Sequence, residues 1–305
     1  MKDDRFSQVY ILTGPTGSGK SRLALELAPR LRAEIVAMDS MTLYRGMDIG
    51  TAKPTADERA RVPHHLLDVL DPWESASVAW WLDKAAEVVR LIEQRGRRVL
   101  FVGGTALYLK SLLEGLFEGP PGDADLRRRL EVEAEQLGKQ ALHDRLAQVD
   151  PPTAARLHPN DVRRVIRALE VHSLTGQPIS AWQTQWSQNR TSPAESQRFQ
   201  CLDLPREVLY DRINRRVEEM IAQGWLDEVR RLRDLERPLS REASQALGYN
   251  ELMAHLEGRC SLTEAVTTIQ TRSRQFAKRQ LTWFRNLPGC SMQPAEAIEQ
   301  AWSHL

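Results

Sequence analysis

The densest chemistry in the sequence lies in Gly14-Pro15-Thr16-Gly17-Ser18-Gly19-Lys20-Ser21. The octet fits the phosphate-binding loop pattern, since it follows an apolar run and opens a helical one. Backbone N–H groups freed by the glycines point at an anion, the helix N-terminus adds its positive end, and Lys20 supplies a mobile charge. Ser21 is placed to hold a magnesium ion. An ATPase built on such a loop carries a second apolar strand ending in a metal-holding acid. Here the candidate strand Arg98–Val102 runs instead into Gly103-Gly104-Thr105. Asp39, closing the second expected strand, is the acid nearest in topology to the loop. It reads either as a turn former, as Asp-Ser commonly is, or as a general base at the carboxyl edge of a sheet beside Lys20.

Two further stretches carry reactive or charged groups. Residues Asp39–Pro54 are irregular and rich in hydrogen-bonding groups, which suits a substrate loop or an ordered surface loop. Residues 265–285 hold five basic residues (Arg272, Arg274, Lys278, Arg279 and Arg285) and no acid, with Phe276 and Trp283 interleaved. Arg163, Arg164 and Arg167 form a smaller cluster. Such stripes are either solvated faces or surfaces for anions and nucleic acid.

The elements that must position these residues alternate in the first third. Val9–Thr13, Glu34–Met38, Arg98–Val102 and, more weakly, His65–Leu70 read as strands; Ser21–Leu31 and a helix capped by Ser77 and running to about Gln94 separate them. That alternation implies βαβ units, a parallel sheet and ligands at the carboxyl ends of its strands. After the breaker Gly119-Pro120-Pro121-Gly122 the periodicity turns helical at Leu126–Gln136, Lys139–Val149 and Val162–Leu174, and then Gly176–Gln197, with Trp182 and Trp186, reads as a polar loop. A strand at Phe199–Leu204, helices at Glu207–Gln223 and Leu226–Leu235, and a long final helix from the capping box Ser261-Leu262-Thr263-Glu264 to Phe284 complete the pattern. The expected fold is therefore α/β: a P-loop NTPase-like parallel sheet core over residues 1–118 and 198–305, with a mostly helical insert at residues 119–197.

With 305 residues, 42 basic against 41 acidic and a formal charge of +1, no global field draws the chain to a polyanion, so any such partner must meet a local cluster. Its 41% hydrophobic and 27% charged residues suit an ordinary globular protein. Cys201, Cys260 and Cys290 are too scattered for a disulfide framework or a zinc site, and the mixed-charge start Met1-Lys2-Asp3-Asp4-Arg5 lacks export character. A cytoplasmic protein without membrane spans is expected. An ATP-dependent small-molecule kinase or a nucleotide-binding regulatory module would share the loop, but would leave Asp39–Pro54 and the basic helix unexplained.

Taken together, Gly14–Ser21, Asp39–Pro54, Val102-Gly103-Gly104-Thr105 with Leu107-Tyr108, His158-Pro159-Asn160-Asp161 with Arg163–Val171, Gln245-Ala246-Leu247-Gly248-Tyr249 and Ala277-Lys278-Arg279-Gln280-Leu281-Thr282-Trp283-Phe284-Arg285 resemble the bacterial tRNA dimethylallyltransferases, in order over about residues 9–286. The resemblance implies transfer of a dimethylallyl group from its diphosphate to the exocyclic N6 amine of the adenosine at position 37, next to the anticodon, with magnesium as cofactor. The loop, Gly14 through Ser21, would then cradle a diphosphate leaving group rather than a nucleotide, and no acid would be needed against a γ-phosphate. It further implies Asp39 as general base, Lys20 and the loop amides stabilising the diphosphate, and Ser21 with Thr105 holding magnesium. Contacts to the tRNA anticodon stem-loop would come from Asp39, Ser40, Met41, Thr42 and Thr105, from Arg163, Arg164, Val165, Ile166 and Arg167, and from Gln245 and Gly248. Arg127 would lie near the reaction centre, and at least one of Lys278 and Arg279 is expected to hold the diphosphate rather than RNA. A monomer is expected. Thr42 stands where many members have Gln, and Asn250 where they have Lys or Arg.

Overall fold

Short apolar runs, buried along nearly their whole length, build a parallel sheet with helices on its faces, which is why their burial is continuous rather than alternating. The structure, a computed structural model, describes residues 6, 8–115, 119–182 and 198–303. The strands are β1 (Tyr10–Thr13), β2 (Ala33–Ala37), β3 (His64–His65), β4 (Arg98–Val102), β5 (Phe199–Leu202) and β6 (Met292–Gln293), in the order β3-β2-β4-β1-β5-β6. Every pairing is parallel; Leu12 faces Val102 on one side and Gln200 on the other, so β1 is central and its carboxyl end delivers the glycine-rich loop.

Around the sheet lie α1 (Lys20–Leu31), α2 (Ala56–Arg61), α3 (Val78–Gln94) and α4 (Ala106–Glu114). Ser77 caps α3 by accepting from Trp80 N. A second group comprises α5 (Ala124–Leu137), α6 (Lys139–Val149), α7 (Pro151–Arg156), α8 (Val162–Thr175) and α9 (Ile179–Trp182). Its own core includes Leu130, Leu142, Leu146, Val165, Ile166 and Leu169. Then follow α10 (Arg206–Ala222), α11 (Trp225–Arg233), α12 (Tyr249–Leu256), α13 (Leu262–Arg285) and α14 (Ala295–Trp302). The chain divides into two compact units, Glu114–Asn189 and Asp3–Leu113 with Arg190–Leu305. Among the described residues no helix is long and apolar enough to cross a membrane.

Three expectations need correction. The strand expected at His65–Leu70 stops at His65, because Leu66 and Asp68 take left-handed φ of 60° and 56° that no strand can continue; only Leu70 bridges back, to Tyr44. The helix with the Ser261–Glu264 capping box does form, but it is not the last: β6 and α14 follow, and Trp302 packs edge-on against Tyr10 at 5.4 Å. Within the stretch read as a loop from Gly176, Ile179–Trp182 is helical and Ile179 is buried; residues 183–197, with Trp186, lie outside the described residues.

Candidate active site

The loop from Gly14 to Ser21 connects β1 to α1, and Gly17 and Gly19 take the left-handed φ of 79° and 93° that its tight path requires. Two of its polar groups are left short of partners. Among the described residues Ser18 Oγ is buried with no hydrogen bond, and Lys20 Nζ reaches only the Pro15 carbonyl, at 3.4 Å. Burial pushes the Lys20 amine down to about 8, and the neighbouring Arg216 guanidinium of α10 adds to the fall; the Asp39 carboxylate pulls the other way. Arg216 is itself pushed below its ordinary range, by burial first, with Asp39 and Glu219 opposing. Two desolvated cations beside a ring of backbone N–H groups make an anion site.

Asp39 follows β2, and Thr105 follows β4. One Asp39 oxygen accepts Met41 N–H at 2.8 Å, while the other makes no hydrogen bond among the described residues. Thr105 Oγ1 accepts Ser40 N–H at 3.2 Å, tying the two strand ends together. Burial pushes the Tyr108 hydroxyl upward, and the nearby Asp39 charge adds to it. Thr42 is buried and turns its hydroxyl back on the Asp39 carbonyl at 3.4 Å.

The rest of the Asp39–Pro54 stretch is an ordered loop held from within. The buried Glu228 of α11 accepts the N–H groups of Asp48, Ile49 and Gly50 at 2.8, 2.8 and 3.2 Å, and the Tyr249 hydroxyl at 2.7 Å. Lys53 donates to Tyr44 O, Asp48 Oδ1 and Asp68 Oδ1. Trp225 packs so closely on Gly248 that a Cβ there would come within 2.1 Å of its ring. The Gly248 N–H goes to Glu251, which Arg272 also pairs with. Gln245 is exposed, and Asn250 donates to Ser244 O at 2.7 Å.

Helix α13 turns one stripe inward and leaves its cations outside. Its buried stripe runs through Ala265, Ile269, Ser273, Ala277, Gln280, Leu281 and Phe284. Gln280 is the side chain that reaches the phosphate loop, accepting Thr16 N–H at 2.8 Å. Lys278 and Arg279 are exposed instead, in a cleft of about 510 Å³ lined also by Gln275, Thr282, Trp283 and Asn286. The helical turn that buries Ala277 and Gln280 leaves these two cations on the exposed side of the helix, and neither makes a hydrogen bond to the phosphate loop among the described residues. Arg274 is engaged by Asn214 Oδ1 at 2.5 Å.

In the helical unit, Val165 and Ile166 are 1% and 4% exposed, so their side chains build its core and are not free to meet RNA. Arg127 and Arg167 both pair with the fully buried Glu170, and Arg167 also donates to Pro120 O at 2.8 Å. Arg164 pairs with Asp161 at 2.9 Å, while Arg163 is exposed.

The family model described as IPP transferase matches residues 42–287, and the one described as isopentenyl transferase matches residues 7–68. The chain belongs to the IPP transferase family. A tRNA dimethylallyltransferase of Geobacter metallireducens is 49% identical over 93% of this chain and 92% of its own length. One of Syntrophobacter fumaroxidans is 50% identical over 92% of this chain and 81% of its own. Among solved structures, the full-length tRNA isopentenylpyrophosphate transferase of Bacillus halodurans superposes with a TM-score of 0.69 at 41% identity, covering 97% of this chain and 95% of that one. A eukaryotic dimethylallyltransferase acting on tRNA superposes with a TM-score of 0.73 at 28% identity, over 90% and 69% of the two chains.

For a member of the IPP transferase family, the residues that sequence reasoning passed over are Arg216, Gln280, Trp225 and Glu228. Gln280 lay inside a motif already singled out, between two cations that drew attention away from it. Arg216 is one of several arginines on a helix, and only folding singles it out.

Proposed function

We propose that this chain transfers a dimethylallyl group from dimethylallyl diphosphate to the exocyclic N6 amine of the adenosine at position 37 of tRNA, next to the anticodon, releasing diphosphate. The observation that carries the reading is the pairing of an under-satisfied anion site with a half-free carboxylate: Lys20 and Arg216 lie beside the phosphate loop, Asp39 borders them, and β4 ends in Gly103-Gly104-Thr105 without an acid. Such a site suits a diphosphate that departs as a unit better than a phosphoryl group under attack by water.

The new bond joins the adenine nitrogen to the allylic carbon. The bond from that carbon to the diphosphate oxygen breaks, and its electron pair leaves on the diphosphate. The adenine lone pair is delocalised into the ring, so proton removal must accompany attack, and the free Asp39 oxygen takes that proton. Charge develops on the diphosphate as the bond breaks, and the loop amides, Ser18 Oγ, Lys20 and Arg216 are fixed where it appears. Among the described residues no cluster of three or more His, Cys, Asp or Glu side chains could hold a metal. The hydroxyls of Ser21 and Thr105 together with phosphate oxygens nonetheless fit magnesium, a hard cation that binds substrate phosphates with few protein ligands. Magnesium, when bound, would neutralise diphosphate charge. Arg163, Arg164, Gln245 and the exposed face of α13 supply contacts to the tRNA anticodon stem-loop. One chain carries every residue named, so the reading needs no second copy, and a cytoplasmic monomer is proposed with it.

The test is single-turnover transfer from labelled dimethylallyl diphosphate to unmodified tRNA. The wild-type chain should label tRNA and hydrolyse ATP negligibly. Asp39→Ala should slow transfer by about 10²–10⁴, the range of general base catalysis, with tRNA affinity nearly unchanged. Rapid ATP turnover indifferent to tRNA would favour the kinase reading.

A further inference from the structure

We propose that Gln280 is a positioning residue that sets the separation between the loop holding the leaving group and the strand ends holding the base; the proposal rests on the transferase reading above. Its side chain is 5% exposed and spans two segments far apart in sequence. Oε1 accepts Thr16 N–H in the phosphate loop, and Nε2 donates to the Gly104 carbonyl after β4, each at 2.8 Å. The fit is close: a Cβ on Gly104 would stand 2.6 Å from Nε2.

Gly104 leads into Thr105, which is tied to the segment carrying the base. Its neighbour Thr105 donates N–H to Met38 O at 3.4 Å and accepts Ser40 N–H on Oγ1 at 3.2 Å, so Asp39 is bracketed on each side by contacts to Thr105. The chain of contacts thus runs from Thr16 through Gln280, Gly104 and Thr105 to Met38 and Ser40, which flank Asp39. The same helix also steadies α10, where Arg274 and Gln270 donate to the side chain and carbonyl of Asn214, two residues from Arg216. The amide offers one acceptor and one donor in a fixed plane at this span; a thioether offers no donor and an ionised carboxylate only acceptors. Losing it strands a loop N–H and a buried carbonyl and lets the two segments drift. Displacements of about 1 Å cost transfer reactions roughly 10²-fold.

The experiment compares single-turnover transfer by full-length wild type, Gln280→Met and Gln280→Glu across pH 6 to 8 (about two units around neutrality), with tRNA affinity and melting temperature measured in parallel. Gln280→Met should transfer about 10²-fold more slowly at every pH, with tRNA affinity within about threefold of wild type and a melting temperature well above the assay. Gln280→Glu should recover as pH falls, because burial against the Gly104 carbonyl raises the introduced carboxyl, and once protonated it can again donate to Gly104 O while accepting from Thr16; its rate relative to wild type should rise about tenfold. A Gln280→Met rate within threefold of wild type would overturn the proposal, as would a pH-independent Gln280→Glu ratio or a loss that merely tracks the unfolded fraction. A wild-type chain that transfers nothing would overturn the transferase reading itself, whereas active wild type with equally active variants overturns only the role of Gln280.

Discussion

Lys20 and Lys53 are both withdrawn from solvent, and they are opposites. Lys53, with a side chain 1% exposed, is saturated: a carbonyl and two carboxylates surround its ammonium, and Arg59 shares Asp68 with it. Lys20 has one long contact to a carbonyl and a second cation beside it, and burial depresses its amine to about 8. A lysine that completes its own shell stabilises the fold. One left short of anions in a glycine-rich cradle keeps its capacity for a ligand, at a cost to the unliganded state. The same contrast separates Glu228, which accepts from three backbone N–H groups and a tyrosine, from Asp39, which keeps one oxygen open.

Substituting each lysine should divide activity from stability. Lys20→Met should slow transfer by about 10³-fold, the upper range for one fixed group that stabilises developing charge. Its unliganded stability at neutral pH should be equal to or above wild type. The pH dependence follows from the sign of the shift. The folded amine sits at about 8 against 10.5 in the unfolded chain, so between those values the unfolded chain binds the extra proton and wild-type stability rises with pH. Lys20→Met should lack that rise, and wild-type affinity for dimethylallyl diphosphate should fall above pH about 8, where the free amine loses its charge. Urea melts and calorimetric titration from pH 7 to 10 (a span of roughly three units) check both statements. A Lys20→Met chain that is markedly less stable yet transfers normally would erase the distinction between the two lysines.

Lys53→Met should behave in the reverse manner. Removing a buried cation from two carboxylates should cost about 2 kcal/mol, less than a fully buried pair because Asp48 stays half-exposed and Arg59 remains on Asp68. Urea denaturation measures that loss. Transfer per folded molecule should stay within about threefold of wild type, since Lys53 orders the loop beyond Thr42 without facing the anion site. A large fall in that rate with stability intact would move Lys53 into the reaction.

How far this contrast was legible in the sequence depends on how local its causes are. The phosphate loop, the Ser77 cap and the Ser261–Glu264 capping box announce themselves because their partners lie within a few residues. Lys53 and Lys20 do not sort themselves: Asp48 and Asp68 are near in sequence, but Arg216 reaches the loop from a helix far down the chain and Gln280 from 264 residues away, and only the sheet brings them there. On α13 the periodicity shows stripes without showing which is buried. A stripe containing Ser273, Ala277 and Gln280 is polar enough in sequence to pass for a solvated face, yet it is buried. The strand expected at His65–Leu70 failed for a related reason, since Asp68 turns left-handed and bonds Lys53 and Arg59.

The smallest expected effect extends the contrast to the arginines of the helical unit. Arg167 is engaged by the buried Glu170 and the Pro120 carbonyl, and Arg127 shares that carboxylate, whereas Arg163 is exposed on the same helix as Arg167. If open capacity marks function, Arg163 meets the tRNA backbone and Arg167 chiefly holds the fold of its own unit. Arg163→Gln should then reduce tRNA affinity about threefold and shrink the log–log slope of affinity against salt by about one unit or less, without changing stability. Arg167→Gln should lower the melting temperature, because Glu170 is fully buried and loses one of its two cations, while leaving the salt slope nearly unchanged. Filter binding over a salt series, with thermal melts on the same preparations, separates the two. Should Arg167→Gln change the slope and Arg163→Gln leave it alone, a saturated cation would be the one that reads the RNA, and the rule drawn from the two lysines would stop at the boundary of the sheet unit.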